Sequence, residues 1–337
     1  MLSVGIVGAT GYTGIQCVNL CLNHPKCNIK KLYAHTNAGQ ATETVFSDCS
    51  NLPPFFEKFD PTSDLSELDV LFLAIPHATS HHYMESLVRK DLKIIDISAD
   101  FRLNSAALFK TYYDVDHMSP ALLETIPYGL PELYFNNIQQ SSIVANPGCY
   151  STAIILALHP LKSLSLPISN VVIDAKTGVS GAGKVLKPNF LFCEVNDVVS
   201  AYGTGFHRHQ AEMEEQLGFP ILFSPHLLPM SRGILASIYV TFEDAIDSST
   251  VFDAYHDFYD QAPFTSVSTS ADISTKSVLG TNNCLIRFKE VENKKQLVIF
   301  SMIDNLLKGA AGQAIQNMNI MCGFEQDLGL PKLGPMV

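Results

Sequence analysis

The N-terminal stretch of this chain alternates between strand and helix patterns around a glycine-rich turn. Residues 2–7 form a short apolar run with β-branched side chains, and residues 15–22 carry apolar side chains at helical spacing. Between them stands GATGYTG, residues 8–14, where three glycines interrupt both patterns. A second strand is predicted at residues 28–34. Strand, turn, helix and strand in this order predict a βαβ unit, which requires a parallel sheet covered by helices.

The rest of the chain shows two different hydrophobic patterns. The apolar run at residues 70–74 is unbroken, as in a buried parallel strand, and residues 93–97 are predicted to form another strand. An amphipathic helix is predicted over residues 80–90. From about residue 170 the runs are longer and alternate apolar with polar side chains, which is typical of antiparallel strands. These later runs cover residues 171–175, 234–242, 283–289 and 296–302, and an apolar helix is predicted over residues 306–321.

These patterns predict an α/β chain with an N-terminal Rossmann-like, doubly wound parallel sheet and a C-terminal α+β domain with a largely antiparallel sheet. A length of 337 residues also suggests two domains. We expect a dinucleotide-binding domain over residues 1–147 and a catalytic, substrate and dimerisation domain over residues 148–303. Residues 304–337 are expected to return to the first domain as a C-terminal helix.

The charge balance limits the classes of partner. The chain has 22 Lys and Arg against 33 Asp and Glu, a formal net charge of −11. A field of that sign repels nucleic acid and anionic membranes, so we expect neither as a partner. No apolar run reaches the roughly 18–20 residues of a membrane span, and the opening residues lack the basic segment of a signal peptide. A cytoplasmic location is therefore expected.

The turn at residues 8–14 has the chemistry of a dinucleotide site. Glycine allows a tight turn and a close approach to a pyrophosphate, while the helix N-terminus supplies N–H groups and a positive dipole end. The spacing is GxxGxxG rather than GxGxxG, so its context carries the prediction, and an ordinary βα turn is the alternative. The residues predicted to contact a dinucleotide are Gly8, Thr10, Gly11, Tyr12, Thr13 and Gly14.

The end of the second strand indicates which dinucleotide. NAD sites place Asp or Glu about 20 residues beyond the glycines, where the carboxylate holds the ribose 2′-hydroxyl. Here His35 and Thr36 stand at that point, and residues 33–37 contain no carboxylate. A carboxylate would repel a 2′-phosphate, whereas these two side chains can donate hydrogen bonds to it. The sequence therefore favours NADP, with a polar turn of no cofactor role as the alternative.

Residues 178–184 read GVSGAGK, which matches the phosphate loop of NTPases. That loop needs Ser or Thr next, to hold Mg²⁺, and a helix behind it. Val185 and Pro188 stand there instead, which disfavours an NTPase. The loop can still let Lys184 and backbone amides meet a different anion.

Eight cysteines are scattered through the chain without a CxxC pair. A small buried apolar residue is the default role for each, and Cys17 and Cys21 lack the further ligands that a metal needs. Cys149 differs because it follows Pro147 and Gly148 just as a helix begins. A helix N-terminus lowers the pKa of a thiol, so Cys149 is the candidate nucleophile for attack on an acyl carbon.

Two histidines flank an arginine at His207-Arg208-His209. One imidazole can perform acid–base chemistry while its neighbour and Arg208 bind an anion. A metal site is the alternative, although no third ligand is evident. Arg232 follows a proline-rich turn and can hold a carboxylate bidentately, with a solvated turn as the alternative.

Taken together, the motifs match a known family. In chain order they are GATGYTG (8–14), IDISADFRL (95–103), YGLPEL (128–133), NPGCYST (146–152), DAKTGVSGAGK (174–184), HRH (207–209), SPHLLPMSRG (224–233) and NLLKGAAGQAIQNMN (305–319). They run through almost the whole chain. With them the sequence resembles the N-acetyl-γ-glutamyl-phosphate reductase family of arginine biosynthesis, which is related to aspartate-semialdehyde dehydrogenase.

The resemblance implies a reaction and a set of roles. Cys149 would attack N-acetyl-glutamyl 5-phosphate and expel phosphate, and hydride from NADPH would convert the resulting thioester to the semialdehyde. His209 matches the acid–base residue of the family, and His207 a neighbour that binds substrate. Further substrate contacts are assigned to Asn146, Lys184, Arg208 and Arg232, and further cofactor contacts to His35, Thr36, Ser180, Gly181, Gly183 and Asn305. The family also implies a homodimer or homotetramer and no metal.

Three positions depart from the family pattern. His35 and Thr36 stand where Ser-Arg is common, Ala211 replaces a proline after HRH, and Lys184 stands where arginine is common. The first departure loosens the preference for NADP over NAD, and the last exchanges a bidentate contact for a point charge. Rival interpretations are an aspartate-semialdehyde dehydrogenase, an NTPase and a non-enzymatic dinucleotide sensor.

Overall fold

The computed structural model describes residues 1–47, 49–88, 91–164, 166–291 and 295–334. The chain divides into two compact units. The first contains Met1–Pro147 and Ala310–Leu330, and the second contains Gly148–Gly309 with residues 331–334 of the tail. The C-terminal segment thus joins the first unit from Ala310 rather than from residue 304, and it leaves that unit again after Leu330.

The first unit holds a parallel sheet whose described strands are ordered β2-β1-β3-β4-β5. The strands are β1 (Leu2–Val7), β2 (Cys27–Tyr33), β3 (Val70–Leu73), β4 (Lys93–Asp96) and β5 (Ile143–Ala145). Every residue of β3 is buried, which explains its unbroken apolar run, because both faces of a parallel sheet are covered. The predicted Rossmann-like sheet is confirmed.

Helices connect these strands and cover them. They are α1 (Tyr12–Asn23), α2 (Met84–Leu87), α3 (Ala106–Tyr113), α4 (Pro131–Gln140) and α9 (Gly312–Met321). The last of them packs against α1, α4 and β4, and all its residues are buried. Its polar side chains therefore need partners inside the unit. One example is Asn319, whose Oδ1 lies 3.0 Å from His24 Nε2.

The helix predicted over residues 80–90 is wrong for most of its length. The chain forms a 3₁₀ turn at Ser80–His82 and then only the short α2. The helical geometry is broken at Tyr83, with φ −136° and ψ 2°, and it ends at Val88, whose ψ of 111° is extended. Just before this segment, the carboxylate of the buried Asp100 accepts the backbone N–H groups of Ala78 at 2.6 Å and Thr79 at 2.7 Å. A distant carboxylate thus shapes the entry to this segment, which local periodicity cannot reveal. Residues 89 and 90 of the predicted helix lie outside the described residues.

The second unit holds a mixed sheet whose described strands are ordered β10-β11-β12-β9-β6-β8-β7. The strands are β6 (Ile168–Gly178), β7 (Ser200–Ala201), β8 (Leu222–Leu228), β9 (Ile234–Phe242), β10 (Thr265–Ser268), β11 (Cys284–Glu290) and β12 (Gln296–Ile303). The pairs β6–β8 and β10–β11 are parallel and the others antiparallel. The predicted α+β domain with a largely antiparallel sheet is confirmed.

One apolar helix forms the centre of the second unit. In α5 (Cys149–Leu158) every residue after Cys149 is buried, and the helix packs against β9, β12 and α7 (Arg208–Leu217). At its C-terminal end, the hydroxyls of Tyr255 and Tyr259 in α8 (Ser248–Tyr259) donate to the carbonyls of Ala157 and Leu156. These carbonyls are among those that a helix end leaves without intrahelical donors. The short α6 (Phe192–Val195) completes the helices named here.

The helix predicted over residues 306–321 is regular only in its second part. Leu307–Ala311 form a π-helical turn before α9 begins. The N–H of Gly309 donates to the carbonyl of Asp304 at 3.0 Å, which spans one residue more than an α-helical bond. π-turns of this kind occur often at functional sites. Among the ranges described, no helix is long and apolar enough to cross a membrane.

Candidate active site

Cys149 is the first residue of α5, with Gly148 as the N-cap. The first intrahelical bond runs from the N–H of Thr152 to the carbonyl of Gly148 at 2.8 Å. The N–H groups before it, including those of Tyr150 and Ser151, have no intrahelical acceptor and form the positive end of the helix dipole. A thiolate at this position is stabilised by that field.

Accessibility alone does not single out this cysteine. Cys149 is partly exposed, but so are Cys49 and Cys322, and Cys193 is exposed. The difference lies in the position of Cys149 on a long buried helix and in what surrounds it. An ideal Cβ on Gly309 would lie only 2.8 Å from Cys149 Cβ, so glycine is required beside the sulfur-bearing residue.

Glu212 links the backbone just before Cys149 to α7, the helix that contains His209. Its Oε1 accepts the backbone N–H of Gly148 at 2.8 Å, and the side chain is 2% exposed. Glu212 lies one turn after His209 in α7. The carboxylate therefore fixes the residue before Cys149 relative to the helix that carries His209. The sequence showed Glu212 beside the histidines but gave it no role.

We predict that Glu212→Ala lowers kcat by roughly 10–100-fold, because a small displacement of a nucleophile is costly to catalysis. The unfolding free energy should also fall by ~1–3 kcal/mol, since a buried N–H loses its acceptor. Glu214→Ala is the matched control, because Glu214 Oε1 accepts the N–H of Ile221 at 3.1 Å. Thermal melting and steady-state kinetics separate the two effects. A control that loses as much kcat as Glu212→Ala would contradict this assignment.

His207 is the N-cap of α7, and its Nδ1 accepts the N–H of His209 at 3.1 Å. An imidazole nitrogen that accepts cannot carry a proton, so Nε2 holds the hydrogen of the neutral ring. Burial, and then the charge of Arg208, lower the pKa of His207 to about 4. His207 is therefore a neutral ring at pH 7 that holds the helix start. This is a role that the HRH motif does not reveal.

The depressed pKa of His207 makes stability depend on pH. Above pH 6.5, the ordinary value, the ring is neutral in both states, and between 6.5 and about 4 only the unfolded chain gains the proton. As the pH is lowered from 6.5 to about 4, the unfolding free energy should therefore decrease by up to ~1.4 kcal/mol per pH unit. Below about pH 4 it should level off. His207→Asn keeps a capping side chain and should flatten the slope in urea titrations. Burial also lowers the pKa of His159 to about 4, so part of the slope of unfolding free energy against pH should remain in the variant. An unchanged slope in the variant would contradict this prediction.

Two tyrosines that sequence reasoning missed lie beside Cys149. The hydroxyl of Tyr202 donates to Tyr150 Oη at 3.2 Å. Burial raises the pKa of Tyr202 to about 12, and the hydrogen bond to Tyr150 and the charge of Cys149 also act on it. The pKa of Tyr150 is raised by burial first, then by Tyr202 and Cys149. Both phenols therefore stay protonated near the sulfur, and only tertiary structure could have shown this.

His209 completes the cluster around the nucleophile. Its ring centroid lies 6.0 Å from that of Tyr150 and 4.9 Å from that of His207. Since His207 is committed to the helix cap, His209 is the better placed of the two for proton transfer. His226 has a separate environment, because its Nδ1 lies 3.1 Å from Asp174 Oδ1.

A second group of predicted residues surrounds Asn305. Its Nδ2 donates to Ser180 Oγ at 3.0 Å, and its Oδ1 accepts the N–H of Gly233 at 2.7 Å. Beside it, Arg232 Nε lies 3.0 Å from the buried carboxylate of Asp304. Arg232 Nη2 has no hydrogen-bond partner among the residues that the structure describes. The guanidinium is thus oriented by Asp304 with a further donor available for an anion.

The glycine loop before Lys184 does not lead into a helix. Val179–Ala182 form a 3₁₀ turn, and Gly183 follows with φ +81°. Ser180 N–H donates to the carbonyl of Ser231 at 3.1 Å, which anchors the loop beside the turn that carries Arg232. Lys184 is exposed at the end of this loop. Without a helix behind it, the loop lacks the dipole of an NTPase phosphate site.

The glycine turn of the first unit fits a dinucleotide. Gly8 has φ +79°, and an ideal Cβ on it would lie 2.1 Å from the carbonyl oxygen of Ala74. An ideal Cβ on Gly14 would lie 2.1 Å from the carbonyl oxygen of Gly8. Helix geometry leaves the N–H groups of Tyr12, Thr13 and Gly14 without intrahelical acceptors. A turn whose glycines have no side chains, followed by helix N–H groups without intrahelical acceptors, provides the close approach and the hydrogen-bond donors that a pyrophosphate requires.

The end of β2 lies against this turn. The carbonyl of Tyr33 accepts the N–H groups of Gly8 at 2.9 Å and Ala9 at 3.0 Å. His35 and Thr36 follow directly and are both exposed. The structure thus brings these two residues together with the glycine turn in one unit. Gly8 contributes through its conformation, since its N–H is already used.

Asn146 is buried and forms hydrogen bonds with several other residues of the first unit. Its Nδ2 donates to the carbonyl of Ala310 at 3.1 Å, and its Oδ1 accepts from Asn317 Nδ2 at 3.0 Å. Its own carbonyl accepts Arg102 Nε at 2.7 Å. These bonds fix the backbone just before Pro147.

A metal site was the alternative for the two histidines at 207 and 209 and for Cys17 and Cys21. The described residues contain no group of three or more His, Cys, Asp or Glu arranged to hold an ion.

Comparison with known proteins identifies similar sequences over the whole chain. Residues 3–141 match the family model described as semialdehyde dehydrogenase, NAD binding domain, and residues 149–305 match that described as semialdehyde dehydrogenase, dimerisation domain. An N-acetyl-gamma-glutamyl-phosphate reductase of Ruthia magnifica is 42% identical over 342 residues, covering 99% of both chains. One of Halothermothrix orenii is 41% identical over 345 residues, again covering 99% of both.

Solved structures show the same fold at low identity. Aspartate semialdehyde dehydrogenase II of Vibrio cholerae, in complex with ASA, has a TM-score of 0.70 and 18% identity, covering 96% of this chain and 98% of that one. The aspartate semialdehyde dehydrogenase of Candida albicans with NADP has a TM-score of 0.67 and 16% identity, covering 96% and 98%.

Proposed function

The chain belongs to the N-acetyl-gamma-glutamyl-phosphate reductase family of the semialdehyde dehydrogenases, and from that premise we propose its reaction. It reduces N-acetyl-L-glutamyl 5-phosphate to N-acetyl-L-glutamate 5-semialdehyde with NADPH and releases phosphate. The observation that carries the proposal is the position of Cys149 as the first residue of α5, where the preceding residue is hydrogen-bonded to α7, the helix that contains His209.

The first half of the reaction is acyl transfer to sulfur. The thiolate of Cys149 attacks the acyl carbon, the carbon–oxygen bond to the phosphoryl group breaks, and phosphate leaves with the bonding electrons. The N–H groups at the start of α5 face the charge that develops on the acyl oxygen. A thioester on Cys149 remains.

The second half converts the thioester to the aldehyde. When bound, NADPH supplies the hydride that the thioester carbon accepts. His209 gives a proton to the resulting oxygen, and it takes that proton back as the carbon–sulfur bond breaks. Cys149 is thereby restored as a thiolate, and the semialdehyde is released.

Basic residues of the second unit hold the anionic substrate. We assign the substrate carboxylate to Arg232, whose guanidinium is oriented by Asp304. Lys184 and Arg208 supply positive charge for the phosphoryl group, and His207 contacts the substrate through its Nε2 hydrogen. We assign Asn146 a positioning role, because both polar groups of its side chain are already bonded within the first unit.

The glycine turn and the end of β2 are assigned to the cofactor, together with the Ser180–Gly183 loop and Asn305. We propose NADPH rather than NADH, because His35 and Thr36 place no carboxylate at the end of β2. The expected domain roles follow, with dinucleotide binding in residues 1–147 and chemistry in residues 148–303. A matched model described as a dimerisation domain supports a homo-oligomer. The acyl phosphate and NADPH are both products of metabolism inside the cell, which supports a cytoplasmic location.

Thr36→Asp tests the cofactor assignment. We predict that the KM for NADP⁺ rises at least ~10-fold while the KM for NAD⁺ does not, since a carboxylate repels a 2′-phosphate and accepts a 2′-hydroxyl. Thr44→Asp, also at an exposed threonine of the first unit, is the control and should change neither value. Equal shifts for both cofactors in Thr36→Asp would refute the assignment.

The substrate proposal is tested by running the reaction in reverse with two aldehydes. N-acetyl-L-glutamate 5-semialdehyde should support phosphate-dependent reduction of NADP⁺, and aspartate semialdehyde should be at least ~100-fold poorer in kcat/KM. A preference for aspartate semialdehyde would move the chain to the other branch of the superfamily. Binding of NADP⁺ with no turnover of either aldehyde would favour a dinucleotide sensor.

A further inference from the structure

The last described residues of the chain, 331–334 and here called the tail, lie along a turn of the second unit that spans residues 279–283. Two carbonyl groups of the tail accept hydrogen bonds from this turn at 2.8 Å. The pairs are the backbone N–H of Asn282 with Pro331, and Asn283 Nδ2 with Lys332. An ideal Cβ on Gly334 would lie only 1.9 Å from the carbonyl oxygen of Leu279. The backbone of the tail therefore contacts the turn at both of its ends.

The tail contributes little apolar surface to the core. Leu333 is 86% exposed, and Lys332 is exposed as well. Lys332 Nζ lies 5.9 Å from the centre of the Phe264 ring, which is a weak contact at an exposed position. The tail thus holds the turn mainly through backbone carbonyls, and its loss should leave the apolar core of the second unit intact.

The turn beneath the tail holds one of the donors that fix Asp304. Gly280 has φ +74°, and its N–H donates to Asp304 Oδ2 at 2.8 Å. The N–H of Leu306 donates to Oδ1 at 2.9 Å, and Arg232 Nε lies 3.0 Å from Oδ2. Asp304 is 0% exposed, so its charge depends on such donors rather than on water. The orientation of this carboxylate therefore depends in part on where the turn places Gly280.

The same turn also contacts the residue that follows Arg232. An ideal Cβ on Gly233 would lie 3.3 Å from Leu279 Cδ2. Leu279 therefore lies between the tail, which approaches its carbonyl, and Gly233, which approaches its side chain. One turn thus supports Arg232 twice, through the carboxylate that binds its guanidinium and through the backbone next to it.

We propose that the tail is a positioning element of the substrate site. It holds the turn at residues 279–283, the turn fixes the carboxylate of Asp304, and Asp304 directs the guanidinium of Arg232 toward the substrate carboxylate. The inference rests on the proposed function, which assigns Arg232 to that carboxylate. A planar guanidinium binds a carboxylate through two parallel hydrogen bonds, so its orientation decides the affinity. Loosening the tail should weaken substrate binding without removing any reacting group.

The first test compares two deletions in the full-length enzyme. Deletion of residues 331–337 removes the tail, and deletion of residues 335–337 keeps it. At saturating NADP⁺ and phosphate, the first should raise the KM for N-acetyl-L-glutamate 5-semialdehyde at least ~10-fold, with kcat and the KM for NADP⁺ within ~3-fold of wild type. The second should match the wild type. In an Arg232→Ala background, loss of the tail should raise the KM by less than ~2-fold, because two changes that act through one group are not additive.

A point variant tests the same contact in a chain of full length. Asn283→Ala removes the bond to Lys332, and we expect the KM for the semialdehyde to rise ~3-fold. Asn23→Ala is the matched control, because Asn23 Nδ2 also donates to a carbonyl at 2.8 Å, in the first unit. Hydrogen–deuterium exchange by mass spectrometry should show faster exchange at residues 279–283 in Asn283→Ala, and no change there in the control. Thermal melting reports whether each variant is folded.

Each outcome decides the proposal. An unchanged KM for the semialdehyde in the tail deletion overturns it, and if that deletion does not fold, an unchanged KM in Asn283→Ala does the same. An equal rise with and without Arg232, or an equal rise in the KM for NADP⁺, overturns the route through the guanidinium. If the wild type shows no reductase activity but loss of the tail speeds exchange at residues 279–283, the support of Asp304 by the tail stands and the proposed reaction falls.

Discussion

Cys149→Ala should abolish reduction of NADP⁺ by the semialdehyde and phosphate, with a loss of at least ~10⁴-fold in kcat/KM. The loss is large because no other group in the site can form the acyl intermediate once the sulfur is gone. The fold should survive, since alanine keeps the Cβ that packs against Gly309 and Cys149 is only partly buried. Steady-state kinetics and thermal melting measure both quantities.

Cys49→Ala is the matched control, because Cys49 is also partly exposed and lies in the other unit. Its activity should equal that of the wild type. A Cys149→Ala variant that retains more than a hundredth of wild-type kcat/KM would show that the acyl group is not transferred to this sulfur.

His209→Ala should lower kcat/KM by ~10²–10⁴-fold, the range for loss of a general acid–base group. The backbone N–H of this residue, which the His207 cap accepts, remains in the variant, so α7 should keep its start. Added imidazole should restore part of the activity, because it can occupy the space of the missing ring.

His207→Asn is the comparison for that result. It removes an imidazole that is neutral at pH 7 but keeps an N-cap, so we expect a loss of only ~10-fold, through substrate contact. If His207→Asn proved the more damaging and His209→Ala retained nearly full activity, the roles of the two rings would have to be exchanged.

Local pattern was sufficient for the parallel sheet and for the start of α5. The unbroken runs of β1 and β3, the glycines between β1 and α1, and the break at Pro147 and Gly148 are local properties of the chain. Pattern failed where distant groups decide the backbone. The backbone before Ser80 is fixed by hydrogen bonds to Asp100, twenty or more positions away, at the entry to the segment where a longer helix is predicted. The carbonyl of Asp304 opens a π-turn where an α-helix was predicted.

The candidate site shows the same division. Cys149, His209 and the glycine turn stand in motifs that can be found along the sequence. Tyr202 and Glu212 act through contacts with Tyr150 and Gly148, which lie 52 and 64 positions away in the chain. Separations of that size leave no periodic signal. The capping role of His207 likewise depends on where α7 begins, which sequence patterns do not fix to a single residue.

The most direct test of the thioester mechanism is a rapid-mixing experiment without phosphate. Enzyme is mixed with N-acetyl-L-glutamate 5-semialdehyde and excess NADP⁺, and NADPH is followed by absorbance. We predict a burst of about one NADPH per active site, followed by a near stop until phosphate is added, with the acyl group found on Cys149 by mass spectrometry. Steady turnover without phosphate, or no NADPH until phosphate is present, would contradict a thioester on Cys149.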